Sequence, residues 1–79
     1  MIPVLKKEKY DGLDGHCYVS WANEENTHRI KASKKGVEVV GFFLESHMDL
    51  ERFAKFIDEA WREHKRLVPK IAFNMSGHE

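Results

Sequence analysis

The segment 46–68, SHMDLERFAKFIDEAWREHKRLV, is the one long stretch of this chain whose apolar residues keep a helical period from end to end. Leu50, Phe53, Ile57, Ala60, Trp61, His64, Leu67 and Val68 recur at steps of three and four, which places them on one stripe of a 3.6-residue helix. Phe56 stands at the margin of that stripe. The other face carries Glu51, Arg52, Lys55, Asp58, Glu59, Arg62, Glu63, Lys65 and Arg66. Ser46 and Asp49 make an S-x-x-D variant of the capping box at the start. Pro69 ends the helix near Leu67, because the residue before a proline is pushed out of the helical region. A helix with one apolar stripe draws its stability from packing, so the residues before it must supply an apolar surface.

Those residues read as strands. His16 to Ala22, HCYVSWA, sets Cys17, Val19 and Trp21 on one side and His16, Tyr18 and Ser20 on the other. Asn23–Asn26 is a polar turn, and Thr27 to Ser33 alternates again, with His28, Ile30 and Ala32 sharing a side. Lys34-Lys35-Gly36 turns the chain into Val37 to Glu45, VEVVGFFLE, rich in β-branched and aromatic residues. Counted as one unbroken strand, it puts Val40, Phe42 and Leu44 under the helix and Val37, Val39, Gly41 and Phe43 on the outer face. Before all of this, residues 1–15 hold a basic run and two Asp-Gly turns, Asp11-Gly12 and Asp14-Gly15, and read as an N-terminal arm or an edge strand. Residues 69–79 form a tail in which Ile71, Phe73 and Met75 alternate.

The fold expected is one α+β domain over residues 1–79, in two layers: a three-stranded antiparallel β-meander over 16–45 packed against one long C-terminal helix over 46–68. A fourth short strand, if the sheet has one, comes from a terminus. The expected core is Trp21, Ile30, Val40, Phe42, Leu44, Phe53, Ile57 and Trp61. On element order alone, three strands followed by a helix resembles the arm-binding domains of tyrosine integrases, which implies a sheet face laid against DNA.

Chemistry-bearing motifs are few. Among five histidines and one cysteine there is no C-x-x-C or H-x-x-x-H pair, so neither metal nor cofactor is expected. Cys17 falls on the alternating apolar side beside Val19, which suits a small buried residue better than a nucleophile. His64 lies on the helix's apolar stripe and reads as a partly buried histidine with one nitrogen hydrogen-bonded. Acidic pairs such as Glu24-Glu25 and Asp58-Glu59 look like a turn and a solvated helix face. No GxGxxG or P-loop is present. The protein is therefore expected not to be an enzyme.

Two surfaces remain as binding candidates. Thirteen basic residues balance thirteen acidic ones, which argues against a dedicated nucleic-acid binder. Even so, Arg29 and Lys31 share a strand face with Lys34 and Lys35 at its corner, a surface able to lie on phosphates. The other candidate is apolar: Val37, Val39 and Phe43, extended by Phe56, form an exposed patch of the kind that docks a protein partner or a second copy. A chain of this length buries only about 60% of its unfolded surface, which favours self-association as a homodimer. The lone cysteine excludes an internal disulfide framework, and charged residues interrupt every apolar run before the ~20 needed to span a bilayer. A cytoplasmic protein without a membrane partner is expected. The leading expectation is a small protein-interaction module, a regulator or inhibitor of a larger assembly such as phages and mobile elements encode, including anti-CRISPR proteins. Nucleic-acid binding by the basic sheet face is the alternative.

Overall fold

The computed structural model describes residues 1–68. Four strands, β1 (Lys6–Asp11), β2 (Cys17–Ala22), β3 (Arg29–Ser33) and β4 (Gly36–Val40), precede one helix, α1 (His47–Leu67). They form an antiparallel sheet in the order β1-β2-β3-β4, and α1 covers one of its faces. The two-layer α+β arrangement is as expected, but the sheet has four strands where three were read. The added strand is the N-terminal segment, which pairs in full with β2 from Lys6↔Ala22 to Asp11↔Cys17. The expectation for 69–79 lies outside the described residues.

Short local bonds set each reversal. Between β1 and β2 the amide of Gly12 donates to the carbonyl of His16 at 2.8 Å, Gly15 takes a φ of 81°, and the Asp14 carboxylate accepts from the His16 amide and the Tyr18 hydroxyl. The loop between β2 and β3 is organised by Asn23, which is buried: its side-chain oxygen accepts from the His28 amide at 2.9 Å, and its side-chain nitrogen donates to Thr27 Oγ1 at 2.8 Å. Asn26 completes that loop in the left-handed region at φ 61°, which asparagine tolerates. Because these bonds hold Thr27 and His28 in the loop, the third strand begins at Arg29, two residues later than the sequence alternation suggests.

The helix starts and stops where the sequence places its signals. Ser46 Oγ accepts from the Asp49 amide at 3.2 Å, while the Asp49 carboxylate reaches past the cap to the Glu45 amide at 3.3 Å. At the other end Val68 leaves the helical region with ψ 132°, and its amide donates to the His64 carbonyl. At the sheet's opposite margin Ile2 is buried, and the Met1 amino group stands 3.2 Å from Asp49 Oδ2.

The core comprises Val19, Trp21, Ile30, Ala32 and Ala60, with Leu5, Val37, Phe42, Phe53, Phe56, Ile57 and Leu67 packed around it. Of the residues expected there, Trp21 and Ile30 are fully buried and Phe42, Phe53 and Ile57 pack against them, whereas Val40, Leu44 and Trp61 are 41%, 36% and 48% exposed. The error at Val40 and Leu44 has one cause. β4 ends at Val40, and Gly41 turns the chain at φ 86°, so alternation counted through Gly41 inverts the faces. The register shows it directly: Val39 pairs with Ile30 and Val37 with Ala32, so both valines are on the helix side, while Val40 pairs with Arg29 on the outer side. Phe42 reaches the core by the bend, its ring tilted against Phe53 at 5.1 Å and meeting His28 edge to face at 5.2 Å. The bend needs glycine, since a Cβ at position 41 would collide with the Thr27 carbonyl oxygen.

Candidate protein-interaction edge

A four-stranded open sheet has two edges, and this chain treats them differently. β1, KKEKYD, is exposed along its whole length and carries a charge at five of six positions. Its helix-side residues are Lys7, Lys9 and Asp11, set opposite Trp21, Val19 and Cys17. Lys7 bridges to the helix, with Nζ 2.9 Å from Glu59 Oε2 and 3.1 Å from Glu63 Oε2, and stands 5.6 Å from the centre of the Trp21 ring. Burial pushes the Glu63 carboxyl up, but the Lys7 ammonium, joined by Arg66 and Lys9, outweighs it and holds the group below the usual glutamate range. The hydrogen bonds to Glu59 and Glu63 hold Lys7 above the usual lysine range.

β4, GVEVV, has one charged residue, Glu38, and among the described residues no strand pairs with its outer side. Alternate residues of β4 must aim their N–H and C=O groups away from β3, toward that side. The apolar character continues onto α1. Glu59 and Glu63 mark the flank of the helix that faces β1, so the residues about 160–200° around from them face β4. These are Leu50, Ala54 and Trp61, spaced four and seven apart. The Trp61 ring lies tilted at 4.9 Å from that of His64, whose Nδ1 donates to the Ser33 carbonyl at 2.7 Å beside the turn into β4. Val39 (42% exposed), Trp61 (48%) and Leu50 (46%) thus border one apolar strip along the open edge, and Phe43 (75%) is exposed beyond the bend at Gly41.

Of the residues singled out from sequence, Val37 and Val39 lie at this edge, though Val37 is half-buried and both valines face the helix layer instead of the outer face, while Phe43 is exposed past the bend that ends β4. Phe56 is not brought to them: it packs on the core from the flank shared with Arg52 and Glu59. Leu50, Ala54 and Trp61 were missed because the stripe was read as wholly covered. Their common azimuth, about 100° from Ala60 for Trp61, was a signal available in the sequence.

The basic candidates take two positions. Arg29 and Lys31 share the outer sheet face, and Lys34 and Lys35 form the turn between β3 and β4. Lys31 Nζ lies 3.5 Å from Glu38 and 5.1 Å above the Tyr18 ring, which itself stacks on Tyr10. Arg29 Nε is buried without a hydrogen-bond partner among the described residues. His64 is held as its position on the stripe suggested. Cys17 is on the expected side but exposed, and its thiol donates to Asp11 at 3.2 Å. That carboxylate, by hydrogen bond and charge, pushes the thiol's pKa up, away from a reactive thiolate. Among the described residues no three His, Cys, Asp or Glu side chains converge as a metal site, and no helix is long and apolar enough to cross a membrane. In comparisons with protein-family models, curated proteins and solved structures, nothing matches this chain.

Proposed function

We propose that this is a non-enzymatic protein-interaction module of the cytoplasm that binds an extended strand along β4. The observation that carries the reading is the continuity of the open β4 edge with the apolar helix flank. A strand added there takes up the free peptide groups of β4, and every second side chain lands over Val37 and Val39 against Leu50, Ala54 and Trp61. The occupant therefore has a stated chemistry: an extended segment of about five residues, apolar at alternate positions and without acidic residues beside Glu38. A role as regulator or inhibitor of a larger assembly follows if that segment belongs to such a partner.

Panning a displayed library of short random peptides against the protein tests this. Strand-like binders with alternating apolar residues, lost on Val39→Glu and on Trp61→Glu, are the expected result. Binders indifferent to both changes, or none at all, sink the reading.

A second reading, nucleic-acid contact through the outer face, draws on Lys31 over the Tyr18 ring, which stacks on Tyr10, with Arg29 further along the same face. Aromatic rings next to cations are a stacking platform for unpaired bases. It requires binding of a single-stranded oligonucleotide that weakens with salt and with Arg29→Ala plus Lys31→Ala; no binding at low salt removes it.

A further inference from the structure

We infer that the strand received by β4 is the β4 of a second copy, so that two chains join edge to edge around a two-fold axis at Val39. This rests on the strand-docking reading and names its partner.

The faces and charges select the register. Two antiparallel β4 strands related by a two-fold axis must centre on a residue, because only then do matching faces of the two sheets coincide. Centring on Glu38 sets Glu38 directly against its own copy, a like-charge pair that destabilises the ladder. Centring on Val39 sets valine on valine on the helix side, and Val37 falls opposite the bend at the second copy's Gly41, where the partner strand ends and no side chain obstructs it. On the outer side Glu38 then meets the second copy's Val40, with its own Lys31 at 3.5 Å as counter-charge and the second copy's Arg29 on the strand beyond. No like charges face each other across the seam.

The helix layer fits the same arrangement. α1 packs mainly over β3, and the two β3 strands stand three strand spacings apart, about 14 Å. Helices in direct contact lie about 8–10 Å apart, so the remaining width suits larger side chains projecting from both flanks. Trp61 and Leu50 are such side chains, and the two-fold axis runs the helices antiparallel, setting the Trp61 end of one against the Leu50 end of the other. The edge of each copy thus supplies both halves of what the other lacks, peptide groups and an apolar cover. β1 offers no comparable partner, since Lys7 and Lys9 occupy its helix side.

Analytical ultracentrifugation of the full chain reads the mass directly, with a rise toward twice 9.3 kDa as concentration increases. The register is read by oxidative cross-linking in a Cys17→Ser background. Val39→Cys should give a disulfide-linked dimer at least ten times faster than Val37→Cys, whose partner position is Gly41. A chain that stays at 9.3 kDa up to about 1 mM overturns the dimer, and cross-linking through position 37 in preference to 39 overturns the register. Because the wild-type mass needs no substitution, a variant that fails to fold does not cloud the result. Peptide panning done below the concentration at which the mass rises separates the two proposals. A monomer that still selects strand-like peptides removes the second copy and keeps strand docking, and a monomer that selects none removes both.

Discussion

The two edges of the sheet differ in how they meet the helix. On the β1 side the gap between layers is closed by charge: Lys7 spans from strand to helix and pairs with Glu59 and Glu63. On the β4 side valines and a half-exposed tryptophan leave the gap apolar. Inward-pointing lysines on an edge strand are a known way to stop another strand from adding, because they would be buried by it. The contrast teaches that exposure is not the discriminating property, since β1 is the more exposed of the two edges. What distinguishes β4 is that adding a strand there buries no charge without a partner.

The largest effect is expected at the residue that ends β4. Gly41→Ala places a side chain in a left-handed conformation and against the Thr27 carbonyl, and should cost about 3 kcal/mol or more, measured by urea unfolding. An unchanged midpoint means the bend is not what limits β4. Next, Val39→Lys gives the β4 edge the device used by β1. Stability should change by no more than about 1 kcal/mol, since Val39 is half-exposed, while strand binding and any self-association fall at least tenfold. If association survives, the open edge is not the docking element.

Acid should weaken the link between β1 and the helix, together with the Asp14 turn and the Asp49 cap, whose carboxyls are also held low. The Glu63 carboxyl is held low in the folded chain, so its contribution is complete above its unfolded value, near 4.3, and is lost as pH falls through the folded value. Glu63→Gln should cost less than about 1 kcal/mol at pH 7, given the exposure of Lys7, and should flatten the fall in stability below pH 4. A variant as acid-sensitive as the parent places the effect at other carboxylates. The smallest effect on folding is predicted for Lys9→Val, within about 0.5 kcal/mol, yet it removes one guard from β1 and should raise self-association by a second route. Sedimentation that matches the parent's shows that Lys7 alone protects the edge.

Much of the fold was legible because its signals are local and redundant. The helix has a period, a cap at Ser46 and a stop at Pro69, and the structure agrees to within a residue. β1 was not legible as a strand by the same means, since its residues alternate no apolar side; it is held in the sheet by pairing with β2, a non-local effect. The faces of β4 were misjudged for a different reason. A period of two carries no warning that a glycine inside it breaks the count, and one glycine moved Val37 and Val39 from the outer face to the helix side. Of the candidate edge, the valines could be named from sequence. The helical period sets Trp61 and Phe56 on opposite flanks of the stripe, but which flank faces β4 depends on how the helix lies across the sheet, which no periodicity reports.

The lysines of β1 also decide how far assembly can go. A sheet with two receptive edges grows by repeated addition into a fibre, whereas a sheet with one receptive edge is used up by a single partner. If β4 takes up a strand as proposed, Lys7 and Lys9 on the helix side of the far edge cap the stoichiometry at one partner. The chain can therefore leave apolar strand surface unguarded on one side without becoming a seed for aggregation.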